Sequence, residues 1–197
     1  MRRLLILAML LLPLGCKSSA TVLDVDKPAH LTSKFDYADL KSTTEKMVQS
    51  LISNPPLGKR ADRPVIVVYG LENRTSEHLD TKALTEKVQT ALTQSGKVRF
   101  VNIGQRKSIE SEVKYQQGGM VAPETRIALG KQTGAEYMLT GAVTTMQQEE
   151  GRGIRLYEKS IRYYKINLEL TDLNTNIIEW SEEKEFAREM EKPFIGW

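Results

Sequence analysis

The chain has 197 residues, enough for one domain of ordinary size but too few for two domains and a long linker. Its 28 lysines and arginines stand against 25 acidic residues, and a net charge of only +3 argues against a nucleic-acid-binding protein. With one cysteine and two histidines, the composition excludes an intramolecular disulfide framework and a Cys- or His-rich metal site.

The first sixteen residues have the pattern of an export signal. Two arginines precede an apolar run, residues 4–12, which is shorter than the about 20 residues of a membrane-spanning helix. The run leads to Gly15 and Cys16, and this ending resembles the lipobox of bacterial lipoproteins, from which Pro13 and Leu14 depart. The resemblance implies cleavage after Gly15 and thioether diacylation of Cys16. The alternative is an ordinary secretory signal with an incidental cysteine.

A lipidated cysteine would decide where the protein resides, because two or more acyl chains anchor a protein stably in a bilayer. Lys17 stands where aspartate retains enteric lipoproteins in the inner membrane, so the resemblance implies the outer membrane. Loss of residues 1–15, which hold two arginines and no acid, would leave 26 basic and 25 acidic residues, a net charge of +1. We expect a lipid-anchored protein whose nearly neutral domain faces the periplasm.

Three further segments are predicted in the mature chain. Residues 16–35 are expected to be the lipidated cysteine and a flexible tether, because they show neither helical nor strand periodicity. The tether has about 19 residues and would extend at most about 65 Å. Residues 36–190 are expected to form the globular domain, and residues 191–197 a C-terminal tail.

In the first half of the domain the sequence predicts helices alternating with strands. Apolar spacing and capping residues indicate four helices: Asp36–Ser53, one from Asp80 to Gly96, one around Ile109 and Val113 that ends at Gly118, and one from Pro123 to Lys131. Runs of β-branched residues indicate a buried strand at Pro64–Tyr69, a polar loop at Gly70–Leu79 and a second strand at Lys97–Ile103.

The second half predicts a β meander. Strands are expected at Tyr137–Met146, Ile154–Leu173 and Ile177–Phe186, with turns at residues 147–153 and 172–176 and an acidic, partly helical tail at the end. The predicted fold is a single α/β domain with a mixed four- to five-stranded sheet, about four helices and a meander in its C-terminal half.

The sequence offers no convincing catalytic constellation. Ser76 and His78 lie two residues apart in a loop, and a catalytic role would require them to converge with an acid such as Glu77 or Asp80. Three Gly-Lys pairs lack the spacing of a phosphate-binding P-loop. We therefore expect a protein that is not an enzyme and has no catalytic residues, metal, cofactor or small-molecule substrate.

Charge is distributed unevenly near the C-terminus. Residues 152–165 hold five basic residues and one acid, with Tyr157, Tyr163 and Tyr164 among them, whereas residues 179–192 hold six acids and three bases. Two interpretations remain open. The segments could be adjacent strands whose charges pair, or the basic, tyrosine-containing segment could form a protein-binding face. A nucleic-acid interface is not expected behind an export signal.

Four short motifs follow in order between Val65 and Trp180: Asn73-Arg74-Thr75 after the first strand, Gly96–Val101 at a helix-to-strand junction, Gly134–Leu139 at a strand entry, and Leu168-x-Leu170 with Thr175-x-x-Ile178-x-Trp180 in the closing hairpin. Together they resemble the LpoB family of outer-membrane lipoproteins. That resemblance implies a non-catalytic activator that docks on a periplasmic domain of a class A penicillin-binding protein. The tether is shorter than in better-known members of the family.

The family resemblance and the charge pattern together define the expected partner-binding residues: Asn73, Arg74, Thr75, Arg152, Arg155, Tyr157, Arg162 and Tyr164. Under this hypothesis the Asn73 side-chain amide shapes the loop after the first strand, and Arg74 is an exposed or anchoring cation. A second resemblance, carried by Arg106–Glu112, Leu129-Gly130 and Gly134–Val143, is to the curli-secretion channel (CsgG-like) lipoproteins. It implies an envelope-assembly lipoprotein that forms oligomers as the alternative function.

Overall fold

The structure, a computed structural model, describes residues 35–128, 132–149 and 157–193. In these ranges the helices and strands are α1 Tyr37–Ser53, β1 Val65–Arg74, α2 Thr81–Gln94, β2 Arg99–Phe100, α3 Arg106–Tyr115, β3 Tyr137–Glu149, β4 Tyr157–Asp172 and β5 Ile177–Pro193. One sheet has the order β2-β1-β3-β4-β5, with β1 parallel to β2 and β3, and with β3, β4 and β5 antiparallel. The predicted α/β class, mixed sheet and meander are confirmed.

The helices begin at the capping residues that the sequence indicated. Asp36 and Asp39 form a reciprocal capping box at the start of α1, with two N–H to carboxylate bonds of 3.1 Å. The Asp80 carboxylate accepts a 2.9 Å hydrogen bond from the Ala83 amide and so caps α2. Gly96 follows α2 with φ +70°, a conformation that glycine adopts without strain. None of the helices in the described ranges has the length and apolar composition to cross a membrane.

The core lies between α1, α2 and one face of the sheet, which we call the helix face. Ile66 of β1, Leu139 of β3 and Leu168 of β4 are each at most 1% exposed and belong to the same apolar cluster as Leu51 of α1 and Leu92 of α2. Side chains alternate along each strand, so the residues between these project from the opposite face, which we call the outer face.

Three predictions for the first half were wrong in extent. β1 does not end at Tyr69, because after an irregularity at Gly70 it continues to Arg74 and pairs there with Thr144 of β3. β2 is reduced to two residues, since this edge strand pairs only with the start of β1. The helix expected from Pro123 is a single 3₁₀ turn that ends at Thr125.

Side chains of the preceding turn explain the early end after Pro123. The Gln116 amide oxygen accepts from the Ile127 N–H at 3.0 Å, and the Gln117 amide nitrogen donates to the Ile127 carbonyl at 2.8 Å. These bonds engage the backbone groups that a longer helix would use for its own ladder. Residues 129–131, the end of the expected helix, lie outside the described residues.

The C-terminal strands are longer than predicted. β3 continues to Glu149, which pairs with Ser160, instead of turning at residue 147. The expected turn at residues 151–153 lies outside the described residues. β5 continues beyond Phe186 to Pro193, which pairs with Tyr157, so the predicted partly helical tail is a strand up to that residue. Pairing with β4 gives the backbone N–H and C=O groups of this segment hydrogen-bond partners that an isolated acidic tail would lack.

The extra length produces a three-stranded projection. The last residue of β1, Arg74, lies beside Thr144, and β3, β4 and β5 all continue past this point. We call residues 145–149, 157–164 and 186–193 the arm. Because β1 ends before the arm, contacts from the loop after β1 and from the start of α1 support the arm on its helix face.

Candidate functional site

The Asn73-Arg74-Thr75 motif covers the last two residues of β1 and the first residue of the loop that leads to α2. The Asn73 side chain accepts hydrogen bonds from the Thr75 amide at 3.0 Å and its hydroxyl at 2.7 Å, and donates to the Glu77 carbonyl at 2.8 Å. The Thr75 hydroxyl in turn accepts from the Glu77 amide at 3.0 Å. Side chains thus supply hydrogen-bond partners for the backbone N–H and C=O groups of a loop that is not paired with another strand. These bonds hold Glu77 in one orientation.

Glu77 connects this loop to β4. Its carboxylate accepts from the Tyr164 hydroxyl, with O···O distances of 3.0 and 2.9 Å, and forms an ion pair with Arg162. The Arg162 side chain is 19% exposed and that of Glu77 is 12% exposed, so the pair is largely shielded from water. Arg162 also donates to the Gln147 amide oxygen at 2.8 Å. We call Asn73, Thr75, Glu77, Arg162 and Tyr164 the Glu77 cluster.

Tyr164 is the central residue of the cluster. It is completely buried, and its hydroxyl accepts a 3.0 Å hydrogen bond from the Phe35 amide while it donates to Glu77. Burial raises the pKa of this hydroxyl above its usual value, and the bond to Glu77 raises that pKa further. The Tyr164 side chain is therefore a neutral hydrogen-bond donor at physiological pH.

Aromatic packing brings the start of the domain to the same place. The Tyr164 ring stacks on Phe186 at a centroid distance of 5.2 Å, and Phe35 packs against both rings at 5.9 and 6.0 Å. Phe35 immediately precedes the capping residue of α1, so the predicted tether joins the domain beside the Glu77 cluster.

A second ion pair supports the arm from α1. Arg188 of β5 pairs with Asp39, and lies 3.9 Å from the carboxylate of Asp36. Arg162 and Arg188 are directly opposite in the β4–β5 register, an arrangement of like charges that is unfavourable by itself. Glu77 neutralises the first cation and Asp39 the second, so both arginines are accommodated on the helix face of the arm.

Four of the sequence-predicted site residues are thus brought together: Asn73, Thr75, Arg162 and Tyr164. Arg74 projects instead from the outer face, where its side chain is 60% exposed and pairs with Glu72 at 2.7 Å. Arg152 and Arg155 lie outside the described residues, and Tyr157 is placed in β4 with its side chain outside them.

Sequence reasoning missed Glu77 as the connecting residue, because it was considered only as an acid for Ser76 and His78. Both of those side chains are exposed, and the Glu77 carboxylate is engaged by Arg162 and Tyr164 while Asp80 caps α2. These positions do not form a nucleophile–base–acid arrangement. In the described part of the chain, no group of three or more His, Cys, Asp or Glu residues could hold a metal ion.

The charge pattern of β4 and β5 is explained in part by strand pairing. The two strands are neighbours, and the Lys165 ammonium lies 2.9 Å from the Glu183 carboxylate on the outer face. That hydrogen bond raises the pKa of Lys165 above its usual value. The adjacent-strand interpretation is therefore confirmed for this pair, whereas Arg162 and Arg188 find their partners outside the β4–β5 hairpin.

Comparison with known proteins shows which family and which solved structures the chain is similar to. A family model described as peptidoglycan-synthase activator LpoB matches residues 39–186. Among solved structures, the C-terminal domain of LpoB from Escherichia coli is 20% identical, covering 75% of this chain and 98% of that chain, with a TM-score of 0.47. The same domain from Salmonella enterica is 21% identical with the same coverages and a TM-score of 0.46.

A lipoprotein from Neisseria meningitidis, GNA1162, is 15% identical to the chain over 64% of this chain and 83% of that one, with a TM-score of 0.38. The search of curated proteins gives no match.

Proposed function

Since the chain belongs to the LpoB family of peptidoglycan-synthase activators, we propose that it binds a class A penicillin-binding protein and stimulates its glycan polymerisation and cross-linking without catalysing either reaction. The family match over residues 39–186 carries this proposal, because it includes the whole Glu77 cluster and most of the arm. An activator of this kind acts by binding the active conformer of the synthase more tightly than the inactive one.

We also propose that the protein is held at the outer membrane by lipid on Cys16, with its domain in the periplasm. The apolar run before Gly15-Cys16 supports this location. A tether of about 19 residues spans at most about 65 Å, so the domain begins within that distance of the outer membrane and meets the synthase from there.

The predicted partner-binding residues then divide into two roles. Asn73, Thr75, Arg162 and Tyr164 bond to the loop or to Glu77, and we assign them the positioning of the loop and the arm. Arg74 is exposed, so we assign it direct contact with the synthase. For Arg152, Arg155 and Tyr157, partner contact rests on the sequence pattern alone.

The experiment uses the full mature chain in detergent and a purified class A penicillin-binding protein from the same bacterium. The wild-type chain should be retained by the immobilised synthase and should raise its rate of glycan polymerisation. Arg74→Ala should weaken both effects, whereas Lys82→Ala, which removes an exposed cation on α2, should leave them unchanged. Absence of both retention and stimulation by the wild-type chain would refute the proposal. Sedimentation of the wild-type chain as large rings would favour the envelope-assembly alternative.

A further inference from the structure

The outer face of the arm carries an apolar strip that the contacts described so far do not involve. Met146, Tyr163 and Ala187 are directly paired neighbours on β3, β4 and β5. Met146 is 69% exposed and Tyr163 is 41% exposed, although both are large and apolar. The helices that form the core with the sheet, α1 and α2, lie on the opposite face. A methionine beside a tyrosine on a solvent-facing sheet is typical of a protein-binding surface.

The strip forms the floor of a groove of about 690 Å³. Its outer-face lining also includes Thr144, Lys165 and Glu185, the paired row next to the strip. The groove crosses all three strands of the arm instead of enclosing a cavity, so its shape suits protruding side chains of a protein better than a small molecule.

The charged side chains beside the groove indicate which kind of partner it binds. On the outer face next to the strip, Lys165 pairs with Glu183 and Arg74 pairs with Glu72. Glu185, directly opposite Lys165, adds a third carboxylate at the border of the groove. The two rows of paired residues next to the strip thus hold three carboxylates and two cations, a net negative charge. Such a surface repels phosphate-bearing ligands, which include anionic lipid headgroups, and attracts a basic protein surface.

A second copy of this chain is a poor occupant for the same reason. In a two-fold symmetric contact the same surface appears on both subunits, so two acidic borders would be brought into one interface. Like charges that face each other across an interface oppose association. The acidic border therefore favours a different, basic protein over self-association.

We infer that the outer face of the arm, centred on Met146 and Tyr163, docks a basic protein surface with an apolar protrusion. This inference rests on the proposed function, under which that surface belongs to the synthase. Arg74 lies on the same outer face, in the row Arg74–Thr144–Lys165–Glu185, so its assigned contact is continuous with the groove. Because β3, β4 and β5 are held together by backbone hydrogen bonds, the outer face of the arm loses little conformational entropy when a partner docks on it.

The test measures the affinity of the full mature chain in detergent for the same purified synthase. Met146→Glu and Tyr163→Glu should each weaken binding about tenfold or more, because central interface residues dominate affinity. Ile178→Glu is the matched control: Ile178 is also an exposed apolar residue of the sheet, 53% exposed, but it lies at the hairpin end of β5, away from the arm. This control should bind like the wild-type chain.

Two more variants test whether the Tyr163 ring and the Glu185 charge contribute to binding as proposed. Tyr163→Phe retains the ring and should restore most of the binding lost in Tyr163→Glu. Glu185→Lys should slow association most at low ionic strength, where surface charges are least screened. Thermal unfolding of each variant, with a midpoint close to that of the wild-type chain, verifies that the domain remains folded.

The outcomes distinguish failure of the docking surface from failure of the proposed function. If the wild-type chain binds the synthase and both Glu variants bind equally well, the docking surface is refuted and the proposed function remains. If the wild-type chain itself does not bind, the proposed function fails and the inference fails with it. A concentration-dependent dimer of the wild-type chain that Tyr163→Glu abolishes would assign the surface to self-association and overturn the inference.

Discussion

Substitution of Glu77 by glutamine removes the charge on which the Glu77 cluster depends while keeping the size of the side chain. Arg162 would lose its carboxylate partner, and Tyr164 would face an amide in place of an acceptor with two equivalent oxygens. Breaking a fully buried ion pair costs about 3–5 kcal/mol. Arg162 is still 19% exposed and keeps its bond to Gln147. We therefore expect a smaller loss of unfolding free energy, about 2 kcal/mol.

Urea unfolding measures this loss directly as a lower midpoint at an unchanged slope. In thermal unfolding, about 2 kcal/mol corresponds to a midpoint lowered by about 4–8 °C for a domain of this size. The control is Glu72→Gln on β1, where the carboxylate is 68% exposed and pairs with Arg74. That exposed pair should contribute at most about 1 kcal/mol. Equal losses in the two variants would refute the claim that Glu77 holds a shielded connection.

A double-mutant cycle tests whether the loss comes from the pair itself. Arg162→Met removes the cation and retains an unbranched apolar chain in its place. The combined variant should be less destabilised than the sum of the single variants, with a coupling of about 1 kcal/mol or more. Additive losses would show that Glu77 and Arg162 act independently and that their ion pair does not support the arm.

Two further predictions concern the sheet itself. Gly141→Ala should lower the unfolding free energy in urea by about 2 kcal/mol or more, because a Cβ at this residue would collide with the Asn167 carbonyl oxygen. A wild-type stability would contradict that close approach. The hydrogen bonds of Glu182 to Lys184 and Ser50 lower its pKa from 4.5. Its stabilisation is therefore complete above about pH 4.5 and lost as the pH falls through the lowered pKa. Urea unfolding at stepped pH should show a shallower acid decline in Lys184→Met than in the wild-type chain.

Local patterns predicted the parts of the fold that local forces determine. The capping residues Asp36 and Asp80 lie at the starts of α1 and α2, and the alternating Ile166, Leu168 and Leu170 face the core. The family resemblance, which rests on short motifs distributed over the domain, is confirmed by the family match. What these features share is that each depends on residues close together in sequence or on a pattern repeated along one element.

The arm and the Glu77 cluster could not be predicted in this way. Arg162 and Glu77 are separated by 85 positions, so their pairing depends on the order of strands in the finished sheet. The polar ends of β1 and β5 resemble loop or tail in isolation, and they become strands because neighbouring strands supply backbone partners. The division of Asn73 and Arg74 between two faces follows from the continuation of β1, since successive residues of a strand project to opposite sides.

Under the proposed docking, the two faces of the arm have complementary roles. On the helix face, Arg162 bonds to Glu77 and Arg188 bonds to Asp39, so two separate ion pairs fix the arm to the loop and to α1. A projection fixed in this way loses little conformational entropy when a partner binds its outer face, and more of the contact energy appears as affinity. The same reasoning predicts that Glu77→Gln, which leaves Met146 and Tyr163 unchanged, weakens synthase binding by loosening the arm. A synthase affinity unaffected by Glu77→Gln would mean that the outer face binds independently of the support beneath it.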